Sequence, residues 1–141
     1  MISLDPYLFF DGNCADAMRF YERTLNGRME MMMTHKDAPP GTPVPPGSEN
    51  LVMHARLVFG NGERVLMASD AMPGHPYDKM QGFALSWNST TAADAKRVFD
   101  ALAQGGEVRM PLQKTFWAEA FGMLVDRFGT PWMINCETPK A

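Results

Sequence analysis

Apolar and polar residues alternate with a period of two along much of this chain, and in two places the spacing changes to that of a helix. Over residues 13–25, Ala17, Phe20, Tyr21 and Leu25 share one helical face, with Asn13 as cap and Gly27 as stop. Over residues 91–104, Ala95, Val98, Phe99 and Leu102 do the same, between Thr90 or Thr91 as cap and Gly105-Gly106 as stop. Both helices are amphipathic, which predicts that each lays one side on a sheet. An apolar strand, LDPYLFF, precedes the first helix, and RMEMMMTH follows it as an alternating strand. KDAPPGTPVPPGSE holds five of the chain's 11 prolines and reads as a mobile loop. LVMHARLVFG and ERVLMASD then flank Asn61-Gly62, the strongest hairpin signal in the chain. AMPGHPYDKMQ, with Pro73, Gly74 and Pro76, reads as a turn-rich linker. Beyond it, strands are expected near residues 82–87, 106–113, 120–126 and 131–137, the last two joined through Phe128-Gly129.

Each half therefore reads as a strand, a helix and three more strands, and the halves share residues as well as order. Ala15, Asp16, Ala17 and Arg19 recur as Ala93, Asp94, Ala95 and Arg97 at a constant offset of 78. At that offset Tyr21 falls on Phe99, Glu22 on Asp100 and Gly27 on Gly105. A duplicated unit explains both patterns.

A length of 141 residues gives a prior of one domain, and 45% hydrophobic residues with 9 Phe, 3 Trp and 3 Tyr supply a core without staples. The 13 basic residues are scattered and the net charge is −3, so the footprint that nucleic-acid binding needs is missing. MISLDPYLFF has no basic region ahead of an apolar run, and no run approaches the roughly 20 residues that span a bilayer. A cytoplasmic protein is expected. Cys14 and Cys136 belong to no CxxC or Cys-His spacing and read as reduced thiols. The 13 methionines suit irregular cores or adaptable apolar cavities.

Two tandem strand-helix-three-strand units resemble the vicinal-oxygen-chelate superfamily, which includes glyoxalase I, extradiol dioxygenases and bleomycin-resistance proteins. FFDGNCADAMRFY, MHARLVFGNGE, LMASD and TFWAEAFGMLVDRFGTPWMINCE look like its PhnB-like branch, which often carries the label 3-demethylubiquinone-9 3-methyltransferase. The resemblance covers nearly the whole chain. It implies an α+β fold, in which tandem βαβββ units form a glyoxalase-like curved-sheet cup within one domain. The units would span about residues 1–71 and 81–141, with a linker at about 72–80. A homodimer is also implied, often with units paired across chains.

The resemblance further implies a divalent metal held by His, Gln or Glu from the first and last strands of each unit. Here those places fall on Pro6 or Tyr7, Leu66 or Met67, Phe83, and Met133 or Ile134, none a usual ligand. The expectation is a small-molecule binder with no metal or other cofactor. The alternative is a metal-dependent lyase, isomerase or dioxygenase. A methyltransferase would need a glycine-rich turn between a strand and a helix, whereas Gly60 and Gly62 sit in a hairpin.

Strand alternation separates Met53, Ala55, Leu57 and Phe59 from Val52, His54, Arg56 and Val58. If the first set packs on the helix, His54 and Arg56 point into the cup as an anion or carbonyl site; otherwise they are a polar pair on an open sheet. On the last strand Trp132, Ile134 and Cys136 alternate with Met133, Asn135 and Glu137, and periodicity leaves open which set faces the cavity. Asn135 would orient a ligand there. Trp87 ends a strand, and Thr115, Phe116 and Trp117 form an aromatic turn that either roofs a pocket or covers a dimer edge. The candidate ligand-binding residues are thus His54, Arg56, Trp87, Phe116, Trp117 and Asn135. His35 and His75 read as solvated, Asp70 as capping a turn, and Asp126 with Arg127 as holding a hairpin.

Overall fold

The computed structural model describes residues 2–137. Within them, the alternating segments become eight strands and the two helical spacings become two helices, giving an α+β fold. In the first unit β1 (Tyr7–Phe10), α1 (Cys14–Thr24), β2 (Arg28–Thr34), β3 (Val52–Phe59) and β4 (Arg64–Asp70) build a sheet of order β1-β4-β3-β2. In the second, β5 (Leu85–Asn88), α2 (Ala92–Ala103), β6 (Glu107–Gln113), β7 (Ala118–Val125) and β8 (Pro131–Glu137) build one of order β5-β8-β7-β6. The first strand of each unit runs parallel to the last, and the other pairings are antiparallel. One topology appears twice, as the repeated residues predict. The units divide between Asp78 and Lys79, so the expected linker stays largely with the first.

Each helix covers one face of its own sheet. α1 packs on β3 and β4, where Ala55, Leu57 and Ala68 are wholly buried against Ala17, Met18 and Tyr21 in one core. α2 packs on β7 and β8 over Val98, Leu102, Leu124 and Ile134. The helices differ in how they start. Thr91 Oγ1 accepts the Asp94 N–H at 3.0 Å and caps α2 as expected. Asn13 makes no side-chain cap on α1, contrary to expectation. The Asp70 carboxylate, from the end of β4, takes the Cys14 N–H at 3.0 Å in its place.

Other boundaries also differ from the sequence reading. The strand expected at 82–87 begins only at Leu85, because pairing with β8 starts at Leu85 and Gly82 sits in the left-handed region at φ 80°. β7 begins at Ala118 rather than 120. His35, expected to end a strand in solvent, opens a 3₁₀ turn over His35–Asp37 and is buried. The proline-rich segment is closed at its base, where the His35 and Lys36 N–H groups donate to Leu51 O and Glu49 O, both at 3.1 Å. The Asn61-Gly62 hairpin forms as expected, with Gly62 N–H donating to Phe59 O. Asp126 accepts from Phe128 N, Thr130 N and Trp132 Nε1 and so holds the β7–β8 turn.

Candidate ligand-binding site

Strand register decides which side chains share the sheet face that α1 leaves uncovered. Tyr7 pairs with Met67, Met67 with Arg56, and Arg56 with Met31, so these four form one row. Two residues along each strand, Phe9 pairs with Ser69 and His54 with Met33. His54 and Arg56 thus do lie opposite the helix-packed Ala55 and Leu57. A hydrogen bond of 3.1 Å joins Tyr7 Oη and His54 Nδ1, and the two rings stack at 5.7 Å between centroids. Arg56 Nε lies 2.8 Å from Glu30 Oε1. The β2 register shifts between Met29 and Met31, and this irregularity sets Glu30 where it can reach Arg56. A half-exposed ion pair of this kind contributes at most about 1 kcal/mol. Its main effect is to give the guanidinium a partner within the protein.

At the end of this face, Phe9 and Ser69 enter the wall of a mainly apolar cavity of about 520 Å³. Its other walls come from His35, Met53, Asp70 and the segment from Ala71 to Asp78. The segment is placed by the Ala71 N–H, which donates to Phe10 O at 2.7 Å and carries the chain across the strand ends. His35 is fixed by the 3₁₀ turn, where Asp37 Oδ2 accepts from both the N–H and the hydroxyl of Thr34. Those two bonds, the backbone one first, hold the Asp37 carboxyl below its usual range. Asp70 is buried, with Oδ1 taking the Cys14 N–H and Oδ2 the Val52 N–H at 2.8 Å. Burial, and then the nearby Asp11 charge, push the Tyr77 phenol up, so its hydroxyl stays neutral. His35 Nε2 is buried with no hydrogen-bond partner.

The second unit gathers some of the expected residues and separates others. Asn135 pairs with Phe121, and Trp117 packs on Phe121 at 5.6 Å, so an amide and two rings meet on the face away from α2. Asn135 Nδ2 donates to Asn88 Oδ1 at 3.0 Å, while Asn135 Oδ1 is buried without a partner. Trp87 pairs with Ile134 and shares the packed face of β8, away from Asn135. Phe116 is 94% exposed and touches Trp117 edge to face. The expected site missed Tyr7, Phe9, Ser69 and Tyr77. Alternation along β1 and β4 carried a signal for the first three, and nothing local carried one for Tyr77.

The chemistry available is binding and proton exchange. Burial, and then the Asp70 charge, raise the Cys14 thiol far above its ordinary value, and burial with Glu119 raises Cys136. Neither is an activated nucleophile. At the places where the resemblance puts ligands for a divalent metal, the first and last strands carry Tyr7 and Met67 in one unit and Ser86 and Met133 in the other. Phe83, expected at one of these places, precedes β5, and Ile134 lies on the packed face. A phenol, two thioethers and a hydroxyl do not fit a hard or borderline divalent ion. Among the described residues, no three His, Cys, Asp or Glu side chains converge elsewhere to replace them. Gly60 and Gly62 lie in the β3–β4 hairpin, so no cradle for a methyl-donor cofactor forms there. No helix of the described residues is long and apolar enough to cross a membrane.

Comparison with known proteins places this geometry. A crystal structure of protein PA1353 from Pseudomonas aeruginosa superposes with a TM-score of 0.90 at 45% identity, covering 99% of this chain and 100% of that one. The putative 3-demethylubiquinone-9 3-methyltransferase, PhnB protein, from Bacillus cereus shares the fold with a TM-score of 0.77 at 24% identity, covering 96% and 99%. Protein YjdN of Escherichia coli (strain K12) is 38% identical over 94% of this chain and 93% of its own length. The model of one family matches residues 3–134, and the chain belongs to that family, the glyoxalase/bleomycin resistance protein/dioxygenase superfamily.

Proposed function

We propose that this protein binds a small organic molecule in the first unit, without a divalent metal, and that it works as a cytoplasmic homodimer. The observation that carries the reading is the cavity of about 520 Å³ beside the Tyr7–His54 pair. Its volume and its apolar wall with a few polar groups are those of a small-molecule site. The Tyr7 ring lies 5.2 Å from that of Phe9, which lines the cavity, so the Tyr7–His54 pair offers a hydroxyl and an imidazole next to that wall. Arg56, on the same sheet face, is already paired with Glu30. In the second unit, considered by itself, Asn135 with its unpartnered Oδ1 is a separate candidate polar contact. The apolar surface of Phe116 and Trp117 favours self-association, and a solution mass of 15.7 kDa rather than twice that value would contradict the dimer.

The test is amide chemical-shift mapping of the full chain against a set of small aromatic and carbonyl compounds. The expected result is saturable shifts at Phe9, Ser69 and Tyr77 that persist with a chelator present. Shifts that appear only with added metal, or no shifts there with any compound, would contradict the reading.

A further inference from the structure

We infer that the first unit's cavity selects an organic cation, a protonated amine carrying an aromatic ring, over neutral and anionic molecules of the same shape. The inference rests on the reading of that cavity as a ligand site and adds the charge of the ligand.

The wall carries two carboxylates, Asp70 and Asp78, two histidines, His35 and His75, and no lysine or arginine. Asp11 lies close enough to act on Tyr77. Of the lysines that neighbour wall residues in sequence, Lys36 beside His35 is turned to Asn50 Oδ1 at 3.3 Å, and Lys79 follows Asp78 outside the wall. Asp70 is 5% exposed, and the hydrogen bonds it takes from Cys14 and Val52 are backbone N–H groups, which orient its carboxylate without cancelling its charge. An anion entering here meets like charge, at Asp70 from a buried carboxylate, whereas a cation meets opposite charge. The rings of Phe9 and Tyr77 are both in the wall, and ring faces attract ammonium groups. His35 Nε2, buried with no partner, is an acceptor in the Nδ1–H tautomer, and an ammonium N–H is the donor that would complete it.

Three probes of similar shape separate charge from fit: 2-phenylethylammonium, 2-phenylethanol and 3-phenylpropanoate, each titrated into the full chain at pH 7 and followed by amide shifts. The ammonium is expected to bind about tenfold tighter than the alcohol, with 3-phenylpropanoate weakest and the shifts centred on Phe9, Ser69 and Tyr77. Asp78 is exposed, so Asp78→Asn leaves the fold intact; it should weaken the ammonium about threefold and leave the alcohol unchanged. Equal binding of alcohol and ammonium, or tighter binding of the carboxylate, would overturn the charge selection while the ligand site stands. An unchanged ammonium affinity in Asp78→Asn would likewise overturn it. Failure of all three probes to shift the cavity would overturn the ligand site as well.

Discussion

Asp70 shows how much one side chain holds in place. It joins the start of α1 to the start of β3 from the end of β4, through partners 56 and 18 residues away in sequence. The sequence supports a capping role for Asp70 but assigns the start of α1 to Asn13, because local spacing carries no trace of a carboxylate arriving from β4. Asp70→Asn keeps one acceptor and replaces the other with a donor, so a buried N–H loses its partner. The expected loss is about 1–3 kcal/mol of unfolding free energy in urea. Asn13→Ala, which removes no cap, should cost a few tenths of that, and equal losses would contradict the assignment.

Cys14 adds a pH dependence at the same place. Its folded thiol is raised above the ordinary value of 9.0, so above about pH 9 the unfolded chain loses a proton that the folded chain keeps. The contribution is complete below that pH and is lost as pH rises, so stability should fall between pH 9 and 10.5. Cys14→Ala should fall less steeply in the same urea series, and parallel curves for the two proteins would contradict the effect of burial.

At the level of elements, the helices and the first unit's hairpin were legible because their signals are local: an apolar stripe, a threonine cap, an Asn-Gly turn. The duplicated βαβββ order was legible for the same reason, since repeated residues and repeated alternation coincide. What escaped depends on pairing between distant segments. Trp87 lies inside a short strand that ends at Asn88, its side set by pairing with Ile134, and β5 begins where β8 begins to pair with it. The sides of β8 were undecidable alone and are settled by α2: a Cβ on Gly122, which pairs with Ile134, would lie 2.7 Å from Phe99 Cε2. The same Cβ would lie 3.0 Å from the Leu112 backbone, which cannot swing away. Gly122→Ala is therefore expected to cost about 1–3 kcal/mol by thermal or urea unfolding. A variant as stable as the parent would show that β6 and β7 sit further apart than described.

For the whole molecule, fold and chemistry separate. The family scaffold is complete in both units, yet the strand positions from which the superfamily resemblance implies metal ligands carry Tyr7, Met67, Ser86 and Met133. Three of these places were readable from the sequence, because β1, β4 and β8 have clear alternation; the fourth shifted from Phe83 to Ser86 with the late start of β5. His54 and Arg56 were legible as a pair on one face, but the cavity beside them was not. It depends on the 3₁₀ turn at His35 and on the segment carrying Tyr77, both placed by hydrogen bonds between separate stretches of chain. The proposed binding needs no divalent ion. Elemental analysis of untagged protein purified without chelators, against a chelator-treated control, decides this. Less than about one tenth of an ion per chain is expected, whereas about one nickel, zinc, iron or manganese ion per chain, as a built site would retain, would overturn the metal-free reading.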